Sequence, residues 1–439
     1  MSSSKIILNA ASGVGGDNYW IALLGGSSGD DEFNSVAIDS NDEIVACGTT
    51  RTDGPGNRNI HVAKYNVSGD LQWNRNLGTT DGSTNCEGEG IAVDSSDNIY
   101  ICGEQAYSVS GGNYIDAFLA KYNSSGTLQW QKRLGVNNTH KFKEVTVDSS
   151  DNIICVGDST SSPDILIAKY NSSGTLQWDR QLAGSSADQP TGITTDSSDN
   201  IYISAQTTST STGSRCFVFA KYNSSGTFQF QGTRGKSGVN AQGKDIIVDS
   251  SGNIYMTGYS NVSGNFDAHL IKFNSSGTLQ WERSLGGSGA EFFWGLCFDS
   301  SGDIIIGGYS NTSGAGSYDA CIAKYNSSGT LQFQKLIGTS STERVFSIKT
   351  DSNDDIIFCG NTSGDGTGAE EAMLVKMRGD GTGDGTFGSW TVQDATLTSS
   401  TPSLAAPSSL MSDAAIALNE NNGTLTEAAG SLTDETISI

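Results

Sequence analysis

Two short phrases recur seven times along the chain, and they constrain its fold more than any other feature. The first reads Val-Asp-Ser-Ser-Asp-Asn-Ile-Tyr and ends in Gly. Its leading Asp stands at Asp39, Asp94, Asp148, Asp196, Asp249, Asp299 and Asp351. The second reads Ala-Lys-Tyr-Asn-Ser-Ser-Gly-Thr-Leu-Gln-Trp, with its Lys at Lys64, Lys121, Lys169, Lys221, Lys272, Lys324 and Lys376. The steps between successive Asp residues run from 48 to 55. A period of roughly 40–50 residues built from short strands marks a propeller blade. A length of 439 residues alone suggests two or three domains. The period instead collapses most of the chain into one ring.

Each unit reads as four strands. Gly90–Val93 supplies strand one and is followed by the Asp-Ser-Ser-Asp-Asn turn. Ile99–Cys102 is strand two. A loop of variable length leads to strand three, Ala117–Tyr122. The Asn-Ser-Ser-Gly turn, in which Gly admits positive φ, leads to strand four, Leu128–Leu134. The predicted fold is all-β, a seven-bladed propeller over residues 18–378. Residues 1–17 precede it as an N-terminal arm. Residues 379–390 read as a flexible Gly/Asp-rich linker and 391–439 as a C-terminal docking or oligomerisation tail. Asn18–Gly25 looks like an orphan strand four and is expected to complete the last blade. Phe387–Val392 is the rival closing strand.

These residues resemble the bacterial seven-bladed propeller repeat family, the SBBP repeats. Ile247-Val-Asp-Ser-Ser-Gly-Asn-Ile-Tyr-Met-Thr-Gly258 carries the likeness most fully. The resemblance implies the propeller fold and a surface, secreted or phage-particle setting. It brings no catalytic residues with it.

Composition narrows the function. The formal net charge is −23, from 25 Lys and Arg against 48 Asp and Glu. Such a chain repels phosphate backbones, so nucleic acid is not an expected partner. No apolar run is long enough to cross a bilayer as a helix, so no membrane insertion is expected. The N-terminus lacks an apolar signal core, which leads to an expectation of cytoplasmic synthesis with free thiols.

The Asp and Asn turns repeat almost unchanged, whereas the loops after strands two and four vary. Recognition is expected on the variable side. The residues proposed there are Tyr107, Tyr114, Phe142, Phe292, Phe293, Trp294, Tyr318 and Arg344, together with Arg215, Lys141, Lys143, Tyr259, Phe266 and Tyr309. Phe292–Trp294 is the most apolar cluster. Exposed, it would mark a partner site; folded back, it would cap blade five.

The candidate chemistry is sparse. His61 and His269 occupy a strand core slot, and His140 stands in a loop. Cys47, Cys102 and Cys359 share a slot for small residues. Asp116, Asp164, Asp267, Asp319 and Glu371 read as strand-edge hydrogen bonders rather than catalysts. Neither a metal nor another cofactor is expected, with calcium left open at the acidic turns and at 379–385.

In the tail one apolar residue recurs every seven positions: Leu397, Leu404, Met411, Leu418, Leu425, Leu432 and Ile439. A coiled coil fails because the second core position holds Ser400 or Thr401, Pro407, Ala414, Asn421, Ala428 and Glu435, and because Pro402, Pro407, Gly423 and Gly430 interrupt. A single strand fails because an odd period flips faces. The tail is expected to dock onto other chains.

The function expected from these observations is a non-enzymatic structural or adhesive component of a phage particle. Its partners would be other virion proteins, copies of itself or a host glycan. The alternatives are a bacterial surface carbohydrate-binding adhesin and a propeller hydrolase or lyase.

Overall fold

The computed structural model describes residues 2–7, 19–25, 29–51, 57–78, 85–109, 112–134, 140–159, 164–364, 370–405, 412–414, 420–422, 426–429 and 433–436. For 2–7, 107–114 and everything from 412 on, only the backbone is described. The fold is an all-β seven-bladed propeller of four-stranded antiparallel blades. The chain divides into two compact units. Unit one is Met1–Gly88, Gly287–Thr398 and Leu425–Ile439; unit two is Glu89–Gly286 and Ser399–Thr424.

Blade three shows the pattern, with strands His140–Val147, Ile153–Ser159, Asp164–Tyr170 and Leu176–Ala183 in order. Strands two and three are buried on both faces and read as nearly continuous apolar runs. Strand four alternates, with its polar residues facing water.

The repeated Asp is a turn former. In blade three the Oδ1 of Asp148 accepts the N–H groups of Ser150 and Asn152, both at 2.9 Å. The following Ser149 donates its N–H and hydroxyl to Asp199 of blade four, each at 2.9 Å. Ser95 bonds Asp151 in the same way. In unit one the equivalent pairs are Ser300 with Asp354 and Ser352 with Asp42. The repeated Lys closes onto the repeated Asp of its own blade: Lys169–Asp148, Lys64–Asp39 and Lys376–Asp351 at 2.7 Å, and Lys324–Asp299 at 2.6 Å. In these four blades the two repeated phrases are thus halves of one ion pair.

This geometry sets an acid sensitivity. Burial alone would raise the carboxyls of Asp94, Asp148, Asp196 and Asp249, but their hydrogen bonds outweigh it and hold all four below the usual range. A carboxyl with a depressed folded pKa stabilises the fold above its unfolded pKa, near 3.9 for Asp. That contribution is lost as pH falls through the folded value. The denaturation midpoint is therefore expected to hold from pH 7 to about 5 and to drop progressively below about pH 4. The double variant Asp148→Asn, Asp196→Asn should flatten that drop, and an unchanged acid limb in it would show that these turns do not carry the effect.

The ring closes with the N-terminal strand. Trp20–Gly25 pairs antiparallel with Glu371–Met377 and completes blade seven. Ser2–Ile7 lies outside it. The rival segment goes elsewhere: Gly385–Phe387 and Trp390–Asp394 form a hairpin on the outer strand of blade six. The linker is correspondingly built rather than flexible. Gly381 takes φ +72° over the ring of Phe333, and Lys335 bonds both Asp384 and Asp394 at 2.6 Å.

The tail contributes outer strands to the chain's own blades. In unit one Gln334 donates to the Leu397 carbonyl at 2.9 Å, Thr426–Ala429 pairs with blade one, and Thr433–Thr436 pairs parallel with Ser2–Ile7. In unit two Ser400 bonds Ser284 of blade five, Ala405 bridges Gly235 of blade four, Ser412–Ala414 pairs with blade three and Glu420–Asn422 with blade two. Seven extended residues reach roughly 23–25 Å, and within unit two the successive tail contacts fall on successive blades, five, four, three and two. Each pairing involves only a few residues, so the odd period never has to run through a continuous strand. Leu397 and Leu404 are buried against the blades. Met411, Leu418, Leu425, Leu432 and Ile439 lie outside the described residues. The heptads therefore lead onto this chain's own sheets, where the sequence suggested other chains. The physical reason is that a strand edge offers unpaired backbone groups to the nearest segment that can reach it.

Candidate functional site

Strand one begins earlier than the sequence suggests, for example Cys86–Val93 instead of Gly90–Val93. A β-bulge interrupts it, as between Phe142 and Glu144 or between Phe293 and Gly295. Ahead of the bulge the second and fourth residues share one side of the strand. They stand seven and five positions before the repeated Asp, and they differ from blade to blade.

In unit one these residues are Glu32 and Asn34, Phe292 and Trp294, and Arg344 and Phe346. Phe292 meets Tyr309 at 5.4 Å and Tyr318 at 6.4 Å between ring centroids, and Tyr309 meets Tyr318 edge-on at 5.5 Å. Trp294 packs edge-on against Phe346 at 5.8 Å. All five rings are only half-buried. Burial pushes the Tyr309 hydroxyl pKa up, with Arg344 acting against it. Arg344 pairs with Glu370 at 2.8 Å, and Asn361 donates to the other Glu370 oxygen at 2.7 Å. Arg58 pairs with Glu87 and approaches Glu32 at 4.0 Å.

Unit two presents a charged and amide wall: Glu89, Lys141 and Lys143, Gln189 and Thr191, Gln242 and Lys244. Lys143 pairs with Glu89 and Lys141 with Glu104. Asp158 stands opposite Lys141 in the sheet register. Burial, reinforced by Glu89 and Glu104, pushes its carboxyl up to about 6 despite the two lysines. Lys244, 8% exposed, lies 5.3 Å over the ring of Tyr259. Burial, then Arg215 and Lys143, bring its ammonium down to about 8.

Several sequence expectations are corrected here. Phe142, Phe292–Trp294 and Arg344 lie on strand one rather than in loops. Phe142 and Phe293 are fully buried core residues, because they sit at the third position of the strand and face the sheet packing. They are not binding residues. Phe292, Trp294, Tyr318 and Arg344 are brought together in unit one. Tyr107 and Tyr114 pair across the hairpin of Ile99–Val109 and Gly112–Tyr122, but their side chains lie outside the described residues. His140 is a buried strand residue, not a loop one. Glu89, Glu104, Asp158, Lys244, Phe346 and Glu370 were missed by sequence reasoning. For Glu89, Lys244 and Phe346 the signal was present: variation at the fifth position before an otherwise constant Asp.

Residues 177–211 and 235–267 match the family described as Beta-propeller repeat, and residues 300–331 match a β-propeller domain of unknown function (DUF5122). These matches cover under a quarter of the chain, whose fold is a seven-bladed β-propeller. No curated protein matches it. Among solved structures it is similar to a protein of unknown function from Dyadobacter fermentans, at 10% identity and TM-score 0.44, covering 81% of this chain and 97% of that one. It is similar to the polysaccharide lyase Uly1 at 11% identity and TM-score 0.45, covering 86% and 99%. It is also similar to the α-L-arabinofuranosidase Arb93A from Fusarium graminearum at 10% identity and TM-score 0.44, covering 66% and 92%. These likenesses concern the fold. They correct the expectation of a non-enzymatic chain, since propellers of this general form include enzymes. The expectation rested on seeing no acids or bases converge in the sequence. Glu89, Glu104, Lys141, Lys143 and Asp158 do converge, from two neighbouring blades.

Proposed function

We propose that this propeller is a carbohydrate-recognition platform, and that the ring cluster of unit one is a principal contact surface. The observation that carries this reading is the set of half-buried rings Phe292, Tyr309 and Tyr318 in mutual contact. Beside Tyr309 lies Arg344, held in a network with Glu370 and Asn361. Aromatic faces suit the apolar C–H faces of sugar rings, and fixed planar donors and acceptors suit hydroxyl groups. The cluster sits at positions that vary between blades on an otherwise constant scaffold, where recognition residues are expected.

The variant Phe292→Ala, Tyr318→Ala should keep the wild-type melting curve within a few degrees. It should lose at least about tenfold in affinity for glycans that bind the wild type on an array, measured by calorimetry. Unchanged affinity would remove this surface from the reading. The setting we propose is a phage particle, with a bacterial surface as the rival. Detection in purified particles by mass spectrometry supports the first, and detection only in cell-surface fractions supports the second.

A further inference from the structure

We propose that blades four and five of unit two form a second site, which binds the carboxylate or sulfate group of an anionic carbohydrate on Lys244 and Arg215, with the sugar ring against Phe266. Lys244 is on strand one of blade five, Ala241–Val248. Its ammonium is buried and stacked 5.3 Å from the Tyr259 centroid. Arg215 is exposed, just ahead of strand three of blade four, and its carbonyl accepts the N–H of Ala241 at 3.1 Å. That backbone bond holds Arg215 beside the start of the strand that carries Lys244, and the two charges are close enough to repel.

In a chain of net charge −23, two neighbouring cations favour an anion locally. The surrounding groups suit a sugar. Phe266 is half-buried and meets Tyr259 edge-on at 5.6 Å. The Tyr259 hydroxyl donates to Gln242 at 2.8 Å, and Gln206 donates to Gln189 at 2.6 Å, which orients amide groups alongside. An oxyanion bridging Lys244 and Arg215 makes charge-assisted hydrogen bonds, the stronger kind, and relieves their mutual repulsion.

The test is calorimetry on the full chain with three probes: a galacturonic acid hexamer, a sulfated dextran oligosaccharide and neutral maltohexaose. The charged probes are expected to bind at least about tenfold more tightly than the neutral one. Whichever of the two binds more tightly assigns carboxylate or sulfate. Lys244→Met and Arg215→Ala should each weaken that binding about tenfold or more. Should Lys244→Met melt early, Arg215→Ala, at an exposed position, decides alone. Phe292→Ala, Tyr318→Ala should leave it unchanged, which separates this site from the ring cluster of unit one. Equal binding of neutral and anionic probes, or anionic binding untouched by Arg215→Ala, overturns the proposal.

Discussion

Trp20→Ala is expected to lower the unfolding free energy by about 3–5 kcal/mol, the usual cost of truncating a buried Trp. Trp20 is fully buried in the strand that closes blade seven. Its ring covers Gly69, at φ +81°, so closely that a Cβ there would lie 2.4 Å from the indole. Its N–H reaches the Val67 carbonyl at 3.3 Å. One side chain thus fastens the closing strand to blade one. Folded domains have total stabilities on the order of 5–15 kcal/mol, so the loss is large. Denaturant titration followed by fluorescence and circular dichroism checks it. Val67→Ala, at a position 43% exposed, should stay within about 0.5 kcal/mol and serves as the control. Should both variants unfold at the same denaturant concentration, the closing strand is not under the load described.

Deleting residues 391–439 is expected to leave the blades folded but less stable and prone to self-association. The ring is closed by Trp20–Gly25, not by the tail, so the fold survives. The truncation nevertheless removes the strand on blade six and the outer pairings on blades one, two and three. It also removes the buried side chains of Val392, Leu397 and Leu404. Burial of each is worth roughly 1.5–3 kcal/mol, so a loss of several kcal/mol is expected. The uncovered strand edges would present unpaired N–H and C=O groups to other copies. Light scattering against concentration, with a thermal melt, tests both parts. A truncated chain that stays monomeric with an unchanged midpoint would show that the tail does not cover these edges.

The repeated Asp and Lys show how much was legible. Their period set the number of blades, and the spacing between the two phrases set the four strands of each. Their pairing as Lys169 with Asp148 needed coordinates, because a whole strand and its loop separate the partners along the chain. The closing strand was also legible, since Trp20–Gly25 repeats the pattern of a strand four without the strands that precede one. The candidate sites were legible only in part. Phe292, Trp294, Tyr318 and Arg344 were named from their types and from local variation. The side that Phe292, Trp294 and Arg344 face depends on the bulge after Phe293 or Val345, and that extra residue decides which ring enters the core. Phe293 was misplaced for that reason. Asp158 was invisible because nothing local marks it. Its perturbation comes from burial, reinforced by Glu89 and Glu104 on another blade and opposed by Lys143 and by Lys141 across the sheet.

The sequence by itself determined the ring, its seven blades and its closure, because a period is a local property copied along the chain. Tertiary structure decided which variable residues meet. The side chains of unit two that surround Lys143 come from strands of different blades, and only blade packing sets the distance between them. It also decided what the heptads of the tail mean. A seven-residue spacing fits a rung-and-turn repeat or an arm along a partner as well as it fits a strand at the chain's own blade edges, until the width of a blade edge is known. That width is a distance between strands, and a one-dimensional pattern does not contain it.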